Sequence, residues 1–249
     1  MEPGKVERYI CERASQGKGV FMGLIDPDKQ SPDQALQLAR RMEEGGADVV
    51  MLGGSIGAQG PVLEETAKLI KANVKLPLHI FPGNVGNVTP HADSLYFMSL
   101  LNSKNPYWIA GAQILGAPLV KQSGLEAIPT AYLIFEPGQT AGWVGEANLL
   151  PREKPDLAVA YALAAQYLGM RFAILESGSG APEPVPVEMV RAIRKATALK
   201  VVVAGGVRTP EQARALVEAG AACIHVGTSL EADGGVERIR GFARAIHLE

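Results

Sequence analysis

The chain has 249 residues, 47% of them hydrophobic, which is apolar material for one large core and excludes a predominantly disordered protein. Its 24 basic and 26 acidic residues leave a net charge of −2 with no basic cluster, so no nucleic-acid partner is expected. Cys11 and Cys223 have neither zinc-type spacing nor a disulfide framework, the N-terminus lacks a signal-peptide core, and no apolar stretch approaches the roughly 20 residues of a membrane span; the expected setting is the cytoplasm.

Residues 5–17 read as a short amphipathic helix with Val6, Ile10 and Cys11 on one side. VFMGLID (20–26) is short and apolar and runs into Pro27, so it reads as a buried strand ending on Asp26. Ser31 or Asp33 caps a helix reaching Glu44, stopped by Gly45-Gly46. ADVVMLGGS (47–55) is a second strand, 61–73 a helix started by Pro61, and LPLHIFPG (76–83) a third strand. The pattern then breaks. Residues 83–92 are turn-rich, and a parallel crossover needs about a dozen residues, usually as a helix. Ser94–Ser99 therefore reads as a fourth strand with no full helix before it, against a helix over 92–102 as the alternative. The alternation resumes with a helix at 106–122, a strand at 127–137, a long loop at 138–154 and a helix at 155–168. RFAILESGSG (171–180) gives a sixth strand ending on Glu176, followed by a helix at 186–197. KVVVAGG (200–206) is the seventh strand, with a helix from Thr209-Pro210 to Gly220. ACIHVGT (222–228) is the eighth, and 234–247 the last helix. No linker or composition shift divides the chain, so residues 1–249 read as one domain: an α/β chain forming a (β/α)8 TIM barrel with one helix missing. A doubly wound open sheet is second choice, because GxGxxG does not follow the first strand.

In such a barrel the working face collects strand ends: Asp26, Ser55, Phe81-Pro82-Gly83, Ser99, Glu136, Glu176, Gly205-Gly206 and Gly227-Thr228. Glycine lets backbone N–H groups approach an anion closely, so the small-residue ends of the sixth, seventh and eighth strands favour a phosphate site over three plain turns. Asp26 faces the pocket as a strand-end acid. With the Ser55 hydroxyl and diphosphate oxygens it suits Mg²⁺, which takes oxygen ligands and keeps waters. Asp28 and Lys29 read more simply as a solvated pair, although Lys29 divides evenly between the two roles. Glu176 is a candidate general base beside an alcohol, or else a structural acid accepting N–H groups of its own loop. His79 and His225 lie in apolar strands and read as satisfied core residues; Glu136 divides between site and loop brace. In helix 106–122 the apolar residues Tyr107, Trp108, Ile109, Ile114, Leu115 and Leu119 read mostly as core packing, with a surplus over one face as the material for a groove taking an apolar chain. Trp143 in the long loop fits an interface, a pocket, or an ordinary surface or core position.

At these residues the sequence resembles the geranylgeranylglyceryl phosphate synthase family, which includes the bacterial heptaprenylglyceryl phosphate synthases. The likeness rests on LIDPDK (24–29), ADVVMLGGS (47–55), FPGNV (81–85), YFMSLLNS (96–103), IPTAYLIFEPG (128–138), YALAAQYLGM (161–170), ESGSGA (176–181) and the GG and GT ends at 205–206 and 227–228. It implies a barrel lacking the helix after the third strand. It also implies a prenyltransferase: the C3 hydroxyl of sn-glycerol 1-phosphate attacks C1 of a prenyl diphosphate, usually geranylgeranyl, and diphosphate leaves. By motif, Asp26 and Ser55 would bind Mg²⁺, and Leu175, Glu176, Ser177, Gly178, Ser179, Gly180, Gly205, Gly206, Gly227 and Thr228 would hold glycerol 1-phosphate, with Glu176 engaging the hydroxyl. Homo-oligomers, dimers or hexamers, and transient membrane contact for the lipid product are implied as well. The chain departs from the pattern at Ile174, where the family usually has tyrosine, at Ser177 for alanine and at Ala204 for a frequent glycine. A phosphosugar isomerase or lyase on the same grip, or a ligand-binding homologue without turnover, are the alternative readings.

Overall fold

Eight parallel strands close into a barrel in chain order, each hydrogen-bonded to its neighbours and β8 to β1. They are β1 (Val20–Ile25), β2 (Val49–Gly53), β3 (Leu78–Phe81), β4 (Ser94–Leu100), β5 (Glu126–Ile134), β6 (Phe172–Glu176), β7 (Lys200–Ala204) and β8 (Cys223–Val226). This computed structural model describes residues 2–231 and 235–249. Strands covered on both faces read as unbroken apolar runs, as β1 and β2 do. Alternation still sorts their side chains. On β6, Phe172 and Ile174 join the barrel interior, while Ala173 and Leu175 join the layer between barrel and helices. Glu176, two residues beyond Ile174, takes the inward direction.

The helices are α1 (Lys5–Ser15), α2 (Pro32–Gly45), α3 (Pro61–Asn73), α4 (Ala112–Ser123), α5 (Gln139–Val144), α6 (Pro155–Tyr167), α7 (Val187–Ala196), α8 (Pro210–Glu218), α9 (Thr228–Glu231) and α10 (Gly235–Ile246). Ser31 caps α2 and Thr209 caps α8 through reciprocal capping boxes, each with proline in the first turn. Helix α1 contributes Val6 and Ile10 to the barrel-interior cluster, and its Val6 and Glu7 N–H groups donate to the Glu126 carboxylate at 2.7 and 2.8 Å.

The break after β3 is a missing helix. Only a 3-10 turn at Val85–Asn87 separates β3 from β4, and Ser94–Leu100 is a strand rather than the alternative helix. Four expectations need correction. The segment 106–122 is not one helix: a π turn at Tyr107–Gly111 precedes α4. Ser99 Oγ donates to the Ile109 carbonyl of that turn at 2.6 Å, so this hydroxyl braces the turn. The stretch 138–154 is not all loop, because α5 forms within it, while the preceding strand stops at Ile134. Helix α9 follows β8 directly and carried no apolar period to reveal it. The expected start of the last helix at 234 lies outside the described residues.

Candidate active site

A cavity of about 710 Å³ opens at the C-terminal ends of the strands, within the range of small-molecule sites. It has a polar end, lined by Asp26, Asp28, Lys29, Ser55, Glu176 and the loops after β6, β7 and β8. Its apolar arm runs along β4 toward α4. The arm follows from the missing helix. Leu95 and Phe97 belong to the outward side of β4, where a crossover helix would normally cover them; instead they line the cavity with Val85, Val88, Gly116 and Val120. The apolar residues of 106–122 are therefore not mostly core packing: Ile109, Ile114, Leu115 and Leu119 are exposed, and Tyr107 and Trp108 are only partly buried. Gly116 and Val120 turn inward and are buried, while Ile114 and Leu115 are 71% and 60% exposed.

Glu176 sits where the two regions meet, only 5% exposed. Its Oε1 accepts the Gly178 N–H at 2.6 Å, and its Oε2 accepts the Tyr132 hydroxyl at 3.2 Å. Burial pushes its carboxyl up to about 7, against the opposing pull of the Gly178 and Tyr132 donors. A carboxylate that gains or loses its proton near neutrality is suited to accept one from an alcohol. Burial and the neighbouring Glu176 hold the Tyr132 phenol well above its usual range, so Tyr132 keeps its proton and donates. Phe81 stands edge-on to Tyr132, Tyr96 and His225, with ring centroids 5.6, 5.8 and 5.3 Å apart, and makes an aromatic floor below the carboxylate.

The three small-residue loops meet at the polar end. Ser179, Gly180, Gly205, Gly206, Gly227 and Thr228 all line the cavity. The N–H groups of Ser179, Gly180, Gly205, Gly206 and Gly227 have no acceptor among the described residues. Gly205 and Gly206 have φ of 76° and 74°, and a β-carbon on Gly205 would lie 2.4 Å from Glu176 Oε1. Gly205 therefore admits the carboxylate as well as shaping the turn. Three expected contacts are redirected. The Leu175 side chain is fully buried in the outer layer, as alternation requires next to an inward Glu176, and cannot reach the cavity. Ser177 is buried as well; its N–H goes to the Ala204 carbonyl, and its Oγ lies 3.5 Å from Arg152 Nη1. The Gly178 N–H is given to Glu176. Glu136, beyond the end of β5, is exposed and absent from the cavity lining; its carbonyl accepts Arg152 Nη1 at 3.3 Å, so it braces the loop. Arg208 and Arg238 line the same end and leave no signal in the sequence, because lone arginines in a loop and a helix carry no motif.

Asp26 and Ser55 both line the cavity. Asp28 and Lys29 are not a solvated pair. Lys29 Nζ is bonded to Asp26 Oδ2, and Asp28 turns toward the loop after β2. A β-carbon placed on Gly54 would lie 3.1 Å from Asp28 Oδ1 and 3.7 Å from Asp26 Oδ1, so the two carboxylates converge there. Among the described residues no three His, Cys, Asp or Glu side chains form a closed metal site. This donor set fits a cation such as Mg²⁺ that keeps waters and shares substrate oxygens.

The profile of the PcrB family matches residues 12–246. The chain belongs to the PcrB family. It is 54% identical over 240 residues to a geranylgeranylglyceryl phosphate synthase of Pyrococcus furiosus, covering 96% of this chain and 95% of that one. A geranylgeranylglyceryl phosphate synthase of Thermococcus kodakarensis is 53% identical over 237 residues, covering 95% and 94%. Among solved structures, the (S)-3-O-geranylgeranylglyceryl phosphate synthase of Thermoplasma acidophilum, in complex with its substrate sn-glycerol-1-phosphate, is 37% identical with a TM-score of 0.93 over the whole of both chains.

In this PcrB-family barrel Ile174 is fully buried and absent from the cavity lining. Its register partner on β5 is Tyr132, whose phenol reaches Glu176 from the neighbouring strand. The histidines are only half satisfied: His79 Nδ1 meets Ser94 Oγ at 2.7 Å and His225 Nε2 meets the Tyr96 hydroxyl at 3.0 Å, while His79 Nε2 and His225 Nδ1 are buried without partners. Burial lowers both to about 3, with His225 adding to the effect on His79, so both rings are neutral near pH 7.

Proposed function

We propose that this chain is a prenyltransferase that joins geranylgeranyl diphosphate to the C3 hydroxyl of sn-glycerol 1-phosphate, giving a phosphorylated ether lipid and diphosphate. The observation that carries the reading is the position of Glu176. It lies between a cluster of uncommitted backbone N–H groups and an apolar arm, so one carboxylate faces both an anionic acceptor and a long hydrocarbon donor. The phosphate of the acceptor is held by the N–H groups of Ser179, Gly180, Gly205, Gly206 and Gly227, with Thr228 beside them. That places the glycerol near Glu176, whose carboxylate takes the C3 proton as the oxygen attacks the allylic carbon. Tyr132 and Gly178 hold the carboxylate in place and keep its basicity moderate. The prenyl chain occupies the arm between β4 and α4. Phe81 and Tyr132 supply aromatic faces beside the carbon that gains positive charge.

Asp26, with Asp28 and Ser55 beside it, would hold Mg²⁺, whose charge would neutralise the departing diphosphate. Lys29 sets one oxygen of Asp26 and brings a further positive charge to the same end. A cytoplasmic homo-oligomer completes the proposal; exposed Trp143 (81%), Ile114 and Leu115 support contacts between subunits.

The test is product formation. Purified chain, Mg²⁺, sn-glycerol 1-phosphate and radiolabelled geranylgeranyl diphosphate should yield a labelled phosphorylated ether, and EDTA should stop it. No product across several prenyl lengths and acceptors overturns the reading; activity that survives EDTA favours an isomerase or lyase of the same fold.

A further inference from the structure

Two arginines lace together the three loops at the polar end. Arg208, in the loop after β7, donates through Nε to the Ala181 carbonyl at 3.2 Å and through Nη2 to the Gly180 carbonyl at 3.1 Å. Both acceptors lie in the loop after β6. Arg238, on α10, donates through Nε to the Ser229 carbonyl at 2.5 Å, beyond β8, and through Nη2 to the Arg208 carbonyl at 3.1 Å. Ser229 Oγ closes the circuit on the Val207 carbonyl at 2.9 Å. Every loop is thereby tied to the next by groups that are themselves held.

The same two side chains bring unbalanced charge. Both line the cavity, and among the described residues neither forms an ion pair with a carboxylate. Their partners are neutral carbonyls, and the Nη1 of each has no hydrogen-bond partner among the described residues. Arg238 also lies over the Phe242 ring at 5.7 Å, which steadies its plane. The remaining arginine near these loops, Arg152, is different. Its Nη2 lies 3.8 Å from Glu183 Oε2 and donates to the Pro184 carbonyl, on the outer side of the loop after β6. Backbone N–H dipoles discriminate between a monoanion and a dianion less strongly than formal charges do. Two guanidiniums lining the same cavity add to the preference for two negative charges over one.

We propose that Arg208 and Arg238 are positioning residues that give the grip its charge, holding the three loops in register and selecting a dianionic phosphate monoester as the acceptor's anchor. The inference rests on the reading of this end as the glycerol 1-phosphate site. It assigns the arginines to the acceptor, because their hydrogen bonds are to the loops after β6, β7 and β8, whereas the carboxylates that would share a cation with the donor diphosphate, Asp26 and Asp28, follow β1.

The test uses the whole enzyme with Arg238→Gln, Arg238→Lys and Arg208→Lys. Calorimetry at pH 8 measures binding of methyl phosphate, a dianion there because its second proton leaves near pH 6, and of methyl sulfate, a monoanion of similar shape. The wild type should bind methyl phosphate at least about tenfold more tightly, a typical effect of charge-assisted hydrogen bonds. Arg238→Gln should reduce that preference, and the lysine variants should restore part of it. In turnover, Arg238→Gln should raise the glycerol 1-phosphate KM about tenfold or more while the prenyl diphosphate KM stays within about twofold. Equal loss of both anions, or KM values that rise together, would mean the arginines only hold the loops and would overturn the assignment. Unchanged preference in Arg238→Gln would overturn it too. If the wild type makes no ether product, the enzymatic reading fails separately, and the methyl phosphate comparison still decides the role of the arginines.

Discussion

Replacing Glu176 by glutamine should make the unliganded fold more stable at pH 8 and much less so at pH 5. The native carboxyl holds its proton up to about 7, against an ordinary value of 4.5. The unfolded chain therefore releases its proton first as pH rises, and stability falls between those two values. The difference of 2.5 units between 7 and 4.5 corresponds to about 3.4 kcal/mol at 1.36 kcal/mol per unit. Water entering the open cavity reduces this, and ~2 kcal/mol is the working figure. Glutamine keeps the shape and still accepts the Gly178 N–H without a charge to desolvate. In a chain of this size the gain is a Tm rise of about 4–8 °C at pH 8. Thermal unfolding followed by circular dichroism at both pH values measures it. A Tm difference that is the same at pH 5 and pH 8, or a less stable variant at pH 8, refutes the claim that Glu176 is a buried charge above neutrality.

Tyr132→Phe removes a donor that lowers the Glu176 pKa, so the rising limb of kcat/KM against pH should move to higher pH; an unmoved limb contradicts the hydrogen bond. Gly205→Ala forces a β-carbon to 2.4 Å from Glu176 Oε1 at a φ of 76°, and should cost about 2 kcal/mol or more in stability and abolish turnover. Near-wild-type melting and rate would show that the loop has room to give. Gly116→Phe should place a ring in the apolar arm without distorting the helix, since a β-carbon there meets nothing within 4 Å. Its Tm should hold or rise, because glycine inside a helix costs about 0.5–1 kcal/mol. Selectivity should move toward shorter prenyl diphosphates, and unchanged chain-length preference would put the tail elsewhere.

Much of this arrangement was visible in local patterns. The gap at 83–92 is too short for a crossover helix, and that same gap opens the cavity's apolar arm. Glu176 is legible as a strand-end acid. Alternation alone fixes that Leu175 beside it must face outward, but a motif carried over as a block hides that distinction. What sequence could not show are meetings across the sheet. Tyr132 reaches Glu176 over 44 residues because β5 and β6 pair in one register, and no local signal marks such a contact. The absent phenol at Ile174 looked like a loss when read alone, yet Tyr132 stands beside it. The sequence Asp26-Pro27-Asp28-Lys29 does not show that Lys29 meets Asp26 rather than Asp28, because the fold of the turn decides it. Arg208 and Arg238 were invisible for a related reason: an arginine that donates to carbonyls of other loops leaves no periodicity or spacing.

The central claim is that Glu176 takes the proton of the attacking hydroxyl. Steady-state kinetics of wild type and Glu176→Gln, with sn-glycerol 1-phosphate and geranylgeranyl diphosphate in Mg²⁺, test it most directly. The account predicts that kcat falls about 10²–10⁴-fold, the usual contribution of a general base, while the acceptor KM changes only a few-fold because the phosphate grip is intact. Turnover within about threefold of wild type across the pH range would contradict it, because a base contributes far more than that.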